Sequence, residues 1–134
     1  MHKLRVLIAD DHEAMRRLLV TILSVQFTVV SAVPDGKSLV EAALALAPDV
    51  IVSDVSMPQM NGPQSMKELR AKGHDIPFVL ISIDSHGSEE FIRQGAAAFV
   101  DKMDIQDELL FTVRSVSKNM ASVAQIADRQ VKAA

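Results

Sequence analysis

Charged residues directly follow three short apolar segments of the chain. Asp10 and Asp11 follow the first segment, Asp54 follows the second, and Asp101 and Lys102 follow the third. If the segments are parallel strands, their carboxyl ends lie side by side, at the edge where open α/β sheets bind ligands. Clustered carboxylates repel one another unless a cation or protons neutralise them, and oxygen ligands favour Mg²⁺. These residues therefore predict a site for a divalent cation and a phosphoryl group.

Two hydrophobic periods alternate along the chain and predict the elements that position these residues. Mostly continuous apolar runs, typical of strands buried on both faces, alternate with segments that have the three-and-four spacing of helices. Five strand–helix units with short connections predict an α/β fold, in which helices cover both faces of a parallel sheet. The predicted strands are residues 4–9, 27–33, 50–53, 78–82 and 97–100. The predicted helices are residues 12–24, 38–47, a segment from 62 to Gly73, 89–94, and a last helix from 104.

The composition limits the class of protein. The 134 residues include no cysteine, which excludes disulfides and thiol catalysis and favours a cytoplasmic location. The net charge of −3 provides no overall basic field for nucleic acid or for a membrane surface. Apolar runs are too short for a transmembrane helix, and the N-terminal one is too short for a signal peptide. We expect one domain with an aliphatic core.

The charged residues and their neighbours resemble the receiver domain of two-component response regulators. The matching motifs are residues 7–12 (LIADDH), 54–62 (DVSMPQMNG), Ser82 and 99–102 (FVDK), in this order and each at the end of a predicted strand. The resemblance covers residues 4 to about 118. It implies a flavodoxin-like fold with a doubly wound, five-stranded parallel sheet in the order 2-1-3-4-5. His12 and the segment 95–102 are further similar to the subgroup that joins a receiver to a helix-turn-helix DNA-binding domain.

The resemblance implies a role for each charged residue. Asp54 would be the phosphoacceptor, since a carboxylate ionised at neutral pH needs no general base. Asp11 and Asp54 would hold Mg²⁺ together with the backbone carbonyl of Ser56, while Asp10 would act largely through water. Lys102 would contact the phosphoryl oxygens as a point charge.

Further positions would couple the site to the rest of the domain. The Ser82 hydroxyl would donate to a phosphoryl oxygen and so move the loop after the fourth strand. Phe99 takes the position of an aromatic residue that repacks inward as that hydroxyl moves, although plain core packing is an alternative. Ser56 and Asp84 occupy positions that tune the lifetime of the acyl phosphate in the family. The segment 82–95 looks about two residues shorter than in relatives, and Gly87 weakens its helix.

The implied function is a phosphorylation-dependent signalling switch. Its partner would be a histidine kinase or a phosphotransfer protein, and a homodimer would form on phosphorylation, with no membrane contact and no direct nucleic acid binding. The domain would be regulatory, catalysing only its own phosphoryl transfer and dephosphorylation. Two alternatives stay open: an interaction module that works without phosphate, and a phosphatase with an Asp nucleophile. Ser56 argues against the phosphatase, because such enzymes place a second acid there.

Two segments carry structural expectations. Residues 1–118 would form the receiver domain, and 119–134 a tail or linker that extends the last helix in one alternative. That alternative rests on the coiled-coil spacing of Leu109, Val113, Val116, Met120, Val123 and Ala127. In the first helix, Arg16 and Arg17 are expected on a solvated face, and His12 is expected to cap or decorate the helix start.

Overall fold

Strands and helices alternate along the chain, as the two hydrophobic periods predict. The structure is a computed structural model that describes residues 3–117. The strands β1 to β5 are Arg5–Ala9, Thr28–Val33, Val50–Asp54, Phe78–Ser82 and Ala98–Asp101. The helices α1 to α4 are Glu13–Ser24, Gly36–Leu46, Gly62–Ala71 and Ser88–Arg93. A 3₁₀ turn at Lys102–Asp104 leads into α5, which covers residues 105–117 of the described chain.

The five strands form one parallel sheet in the order β2-β1-β3-β4-β5. Neighbouring residues of a strand point to opposite faces, so β1 contributes Val6 and Ile8 to one apolar cluster and Leu7 and Ala9 to the other. Helices α1 and α5 cover the first cluster, and α2 and α3 cover the second. The predicted fold class and strand order are confirmed.

The connectivity creates a crevice between β1 and β3. From β1 the chain moves outward to β2, and it then crosses to β3 on the other side of β1. Ligands of open α/β sheets bind where the strand order reverses in this way, at the carboxyl ends of the strands. The residues that follow β1 and those that end β3 therefore line the same opening.

Capping side chains set where two of the helices begin. The helix α2 starts at Gly36, two residues before the predicted start, because the Asp35 carboxylate accepts a hydrogen bond from the Ser38 amide at 2.7 Å. The helix α3 starts with a reciprocal pair, in which the Asn61 and Gln64 side chains each accept from the other's backbone amide. This cap fixes the chain as it leaves the loop after β3.

The helix α5 uses its apolar stripe inside the domain. Leu109, Val113 and Val116 are buried in the cluster shared with α1. They form the first half of the coiled-coil spacing, so that half packs on the sheet and does not face a second copy. The second half, Met120, Val123 and Ala127, lies outside the described residues. The described helices, those of residues 3–117, include none long and apolar enough to cross a membrane.

Candidate functional site

Acidic side chains from two adjacent strands meet at the carboxyl edge of the sheet. Asp10 directly follows β1 and is fully buried, and Asp54 is the last residue of β3 and is also buried. The strands β1 and β3 pair in register, so their ends lie side by side. Ligand atoms of Asp10, Asp11, His12 and Asp54 all lie within 4.8 Å of one another. The carboxylate cluster predicted from the strand ends is present.

Lys102 brings one positive charge into this cluster. Its side chain is only 8% exposed, and its Nζ donates to Asp54 Oδ2 at 3.0 Å. The same Nζ lies 3.1 Å from Asp10 Oδ2, but this ion pair lacks hydrogen-bond angles. Asp10 Oδ2 consequently has no hydrogen-bond donor among residues 3–117. One ammonium group faces two buried carboxylates.

Burial and charge act in opposite directions on these groups. Burial raises the pKa of Asp54 above the ordinary carboxyl value, the hydrogen bond and charge of Lys102 offset this only in part, and the charge of Asp10 adds to the rise. Burial lowers the pKa of Lys102, but its interactions with Asp54 and Asp10 outweigh burial and raise it overall. Lys102 is therefore protonated at neutral pH and places one positive charge beside the carboxyl groups of Asp10 and Asp54.

Hydrogen bonds hold Asp10 on three sides. Its backbone amide donates to the Val33 carbonyl at 3.0 Å, which continues the pairing of β1 with β2. Its Oδ1 accepts from the His12 amide at 2.9 Å. Its backbone carbonyl accepts from Arg16 Nη1, also at 2.9 Å. Asp10 is thus part of the rigid end of the sheet.

The two arginines of α1 differ, which sequence reasoning missed. Arg17 is 78% exposed and forms an ion pair with Glu13 at 2.7 Å, as expected for a solvated face. Arg16 is half-buried and binds the Asp10 carbonyl, so the expectation of a solvated face is wrong for this residue. Adjacent residues of the same type carry no sequence signal that separates them. The difference arises because helical side chains lean toward the N-terminus of the helix, and from position 16 the guanidinium reaches the preceding loop.

The loop after β3 packs closely against Asp54. The Ser56 amide donates to Asp54 Oδ1 at 3.3 Å, and the Gly62 amide donates to the Val55 carbonyl at 3.0 Å. A Cβ atom at Gly62 would lie 2.4 Å from the Asp54 carbonyl oxygen, so no larger residue fits without displacing the loop. His12 occupies the N-cap position of α1 without a side-chain capping bond, and its Nδ1 lies 3.1 Å from Asp11 Oδ1.

Ser82 and the acid cluster share one cavity of about 530 Å³, with Asp11, Met15, Asp54, Ser56, Ile83 and Lys102 among its lining residues. The Ser82 Oγ accepts a hydrogen bond from the Asp84 amide at 3.1 Å. The Asp84 carboxylate accepts from the His86 backbone amide and ring, which hold the pKa of Asp84 below its usual value. Asp84 thus engages the exposed loop after β4.

Phe99 lies on the α2–α3 face of β5 rather than in the cavity. It is half-buried, and its ring stacks on Phe91 of α4 with ring centroids 6.3 Å apart and an angle of 19° between the ring planes. The structure therefore brings together Asp10, Asp11, Asp54, Ser56, Ser82 and Lys102, and it pairs Phe99 with the short helix α4.

Comparison with known proteins supports the same assignment. Residues 6–114 match the model of the response regulator receiver domain. The chain belongs to this family. The receiver domain of the putative response regulator NarL from Mycobacterium tuberculosis is 31% identical and superposes with a TM-score of 0.83, covering 88% of this chain and 98% of that one. The predicted resemblance to receiver domains is confirmed.

The curated relatives of this receiver domain are longer proteins. The transcriptional regulatory protein YdfI of Bacillus subtilis is 34% identical over 80% of this chain and 51% of its own length. The transcriptional regulatory protein DegU of Brevibacillus brevis is 30% identical, over 91% of this chain and 53% of its own length. A protein-glutamate methylesterase/protein-glutamine glutaminase of Thermotoga maritima is 36% identical, over 74% of this chain and 30% of that protein. The chain thus spans about half the length of the first two.

Proposed function

We propose that this receiver domain is a phosphorylation-dependent switch of a two-component system, in which Asp54 accepts a phosphoryl group from a histidine kinase or a phosphotransfer protein. The observation that carries the proposal is the single ammonium group of Lys102 between two buried carboxylates. A structural ion pair needs one acid for one base. The second buried acid and the nearby Asp11 leave negative charge that suits a cation and, with it, a phosphoryl group.

The transfer itself requires little from the side chains besides position and charge. An Asp54 carboxylate oxygen attacks phosphorus, an O–P bond forms, and the P–N bond of the donor phosphohistidine breaks with its electron pair left on the imidazole. An ionised Asp54 carboxylate needs no general base for this step, because it has no proton to lose. Lys102 stays protonated throughout, so it can follow the negative charge from the carboxylate to the phosphoryl oxygens.

The residues of the crevice fit a magnesium ion. Asp10, Asp11 and Asp54 would hold it with the backbone carbonyl of Ser56, and Asp10 Oδ2, which has no hydrogen-bond donor among residues 3–117, is an oxygen suited to a metal-bound water. These are oxygen ligands of the kind that Mg²⁺ takes in phosphoryl-transfer sites. When bound, the ion would neutralise charge that builds up on the transferring group.

Ser82 and Phe99 would transmit the change. The Ser82 Oγ accepts a hydrogen bond from the Asp84 amide, so its own proton is free to donate to a phosphoryl oxygen. Donation to a phosphoryl oxygen would move the Ser82 hydroxyl toward the phosphoryl group. This shift would break its hydrogen bond with the Asp84 amide and loosen the loop that leads to α4. Phe99 would respond through its stacked contact with Phe91 on α4. Ser56 and Asp84 would modulate the lifetime of the acyl phosphate from the two sides of the crevice.

The proposal extends to the whole segment. Residues 1–118 would act as the regulatory domain and 119–134 as a tail or linker, with homodimer formation on phosphorylation and no direct contact with nucleic acid. The domain would catalyse only reactions of its own acyl phosphate. The Asp nucleophile alone does not make it a phosphatase, because Ser56 stands where such enzymes place their second acid.

Acetyl phosphate provides the direct test. The Asp54 carboxylate would take the phosphoryl group and release acetate, so incubation with acetyl phosphate and Mg²⁺ should add the mass of one phosphoryl group to the intact chain. Asp54→Asn should abolish this gain, and chelation of Mg²⁺ should suppress it. Asp75→Asn is the matched control, since Asp75 is an exposed acid far along the chain from the cluster. A mass gain that persists in Asp54→Asn would refute the assignment, and a wild type that gains none would favour the phosphate-independent module.

A further inference from the structure

We propose that Arg16 is a positioning residue for the acid pair, acting through the backbone carbonyl of Asp10. The proposal rests on the function proposed above, because its measurable consequence is the Mg²⁺ affinity of that site. Arg16 lies in the first turns of α1, where its backbone amide donates to the His12 carbonyl at 2.8 Å. From there its Nη1 returns to the Asp10 carbonyl at 2.9 Å.

This hydrogen bond fixes the peptide unit between the two acids. The Asp10 amide is the last group that the pairing of β1 with β2 holds, through the Val33 carbonyl. The following peptide is planar and carries both the Asp10 carbonyl and the Asp11 amide, so the two turn together. A guanidinium group on the carbonyl therefore sets the direction in which the chain presents Asp11.

Asp11 depends on this constraint more than Asp10 does. The Asp10 carboxylate is buried and is fixed by the His12 amide and by the charge of Lys102. The Asp11 side chain is 30% exposed and contacts the largely exposed His12 ring. Because Asp11, unlike Asp10, would bind the metal directly, its direction matters for affinity, and partners that orient a ligand commonly change affinity when removed.

The neighbouring arginine provides a control within the same helix. Arg17 has the same charge and the same helix propensity, but it binds Glu13 on the solvent side. A general loss of positive charge near the acids would occur in both single variants. Only the Arg16 variant loses the donor to the Asp10 carbonyl, so a difference between the two isolates positioning from charge.

The test compares Arg16→Met with Arg17→Met in the full chain, with Mg²⁺ titrated by calorimetry. We expect Mg²⁺ to bind about tenfold more weakly to Arg16→Met, as for other partners that orient metal ligands, and to bind Arg17→Met as it binds wild type. Phosphorylation by acetyl phosphate should slow in Arg16→Met at low Mg²⁺ and recover at saturating Mg²⁺. The carbonyl carbon resonance of Asp10 should shift in Arg16→Met and stay unchanged in Arg17→Met.

The role of Arg16 would be overturned by wild-type Mg²⁺ affinity in a folded Arg16→Met, or by an equal loss of affinity in Arg17→Met. Arg16→Lys is the second variant if Arg16→Met fails to fold, since it keeps the charge and one donor. If the carbonyl carbon resonance of Asp10 shifts in Arg16→Lys as it does on loss of the hydrogen bond, but the Mg²⁺ affinity stays that of wild type, the proposal is also wrong. A wild type that binds no Mg²⁺ would refute the proposed function itself, whereas equal binding by wild type and Arg16→Met refutes only the positioning role.

Discussion

The two sides of the crevice are built with different degrees of constraint. On the β1–β3 side, Asp10 and Asp54 are buried, and each is held by several hydrogen bonds or ion pairs. On the β4 side, Ser82 is half-buried, Ile83 is 77% exposed, and none of the six described residues of α4 is buried. The reacting groups are fixed before any ligand arrives, while the segment that would respond has little packing of its own.

This difference fits the work that the two sides would do. Elements that move are drawn from the less stable parts of a fold, where few apolar contacts are lost on opening. The far end of α4 is an exception, since Arg70 on α3 donates to the Gln94 and Gly95 carbonyls at 2.8 and 2.6 Å. Movement on the β4 side should therefore concentrate in residues 83–87 and in the first turn of α4.

The largest effect is expected from Lys102→Met, which removes the ammonium group that lies beside both buried carboxylates. Two buried carboxylates would then face each other, and loss of one partner of a buried charge pair costs about 3 kcal/mol of unfolding free energy. Urea unfolding in EDTA measures this loss, and millimolar Mg²⁺ should recover part of it. Lys72→Met, which breaks only a surface pair with Glu68, should cost under about 1 kcal/mol. Equal losses of unfolding free energy in the two variants would show that the buried charge cluster is not what makes Lys102→Met destabilising.

Two glycine substitutions compare the sides directly. Gly62→Ala places a Cβ 2.4 Å from the Asp54 carbonyl oxygen, and overpacking of this kind costs about 2 kcal/mol. Gly87→Ala meets no atom of the described chain within 4 Å, but its φ of +83° should cost about 1 kcal/mol. Urea unfolding should rank them in this order, and only Gly62→Ala should slow phosphorylation by acetyl phosphate. A larger loss of unfolding free energy in Gly87→Ala than in Gly62→Ala would contradict the view that the β1–β3 side is the more constrained one.

Arg70→Met should separate local from global stability. It removes two charge-assisted hydrogen bonds at a partly exposed site, so the global loss should be about 1 kcal/mol. Hydrogen exchange should accelerate at the Gly95 and Ala96 amides, which close the end of α4, and remain unchanged at the amide of Asp10. Arg93→Met, which removes only surface ion pairs of α4, is the matched control. If both variants leave these amides protected, Arg70 does not hold the helix.

The sequence predicted the buried acids and the lysine of the constrained side because these residues follow strand ends. Asp10, Asp54 and Lys102 each stand where an apolar run stops, and a parallel sheet brings such positions to one edge whatever the side chains do. The roles of Arg16 and Arg70 could not be predicted in this way. Each depends on a long side chain that reaches a backbone carbonyl of another element. Every residue has such a carbonyl, so residue types and their spacing do not show which one accepts the hydrogen bond. The spacing of Leu109, Val113 and Val116 is ambiguous for a related reason, since a stripe packed on the domain's own sheet has the same period as one that pairs helices.

The smallest effect is a difference in pH dependence between Asp54→Asn and Asp84→Asn, measured as urea midpoints in EDTA. The pKa of Asp54 is raised on folding, so its contribution to stability is present below the unfolded value of 3.8 and is lost as pH rises through the folded value. The pKa of Asp84 is lowered by its hydrogen bonds from His86, so its contribution is present above the unfolded pKa and is lost as pH falls. Relative to wild type, Asp54→Asn should therefore gain stability as pH rises above the unfolded pKa of 3.8, whereas Asp84→Asn should lose stability as pH rises toward that value from the lowered pKa of folded Asp84. Parallel profiles for the two variants would show that burial of Asp54 and the hydrogen bonds from His86 to Asp84 do not shift these two pKa values in opposite directions.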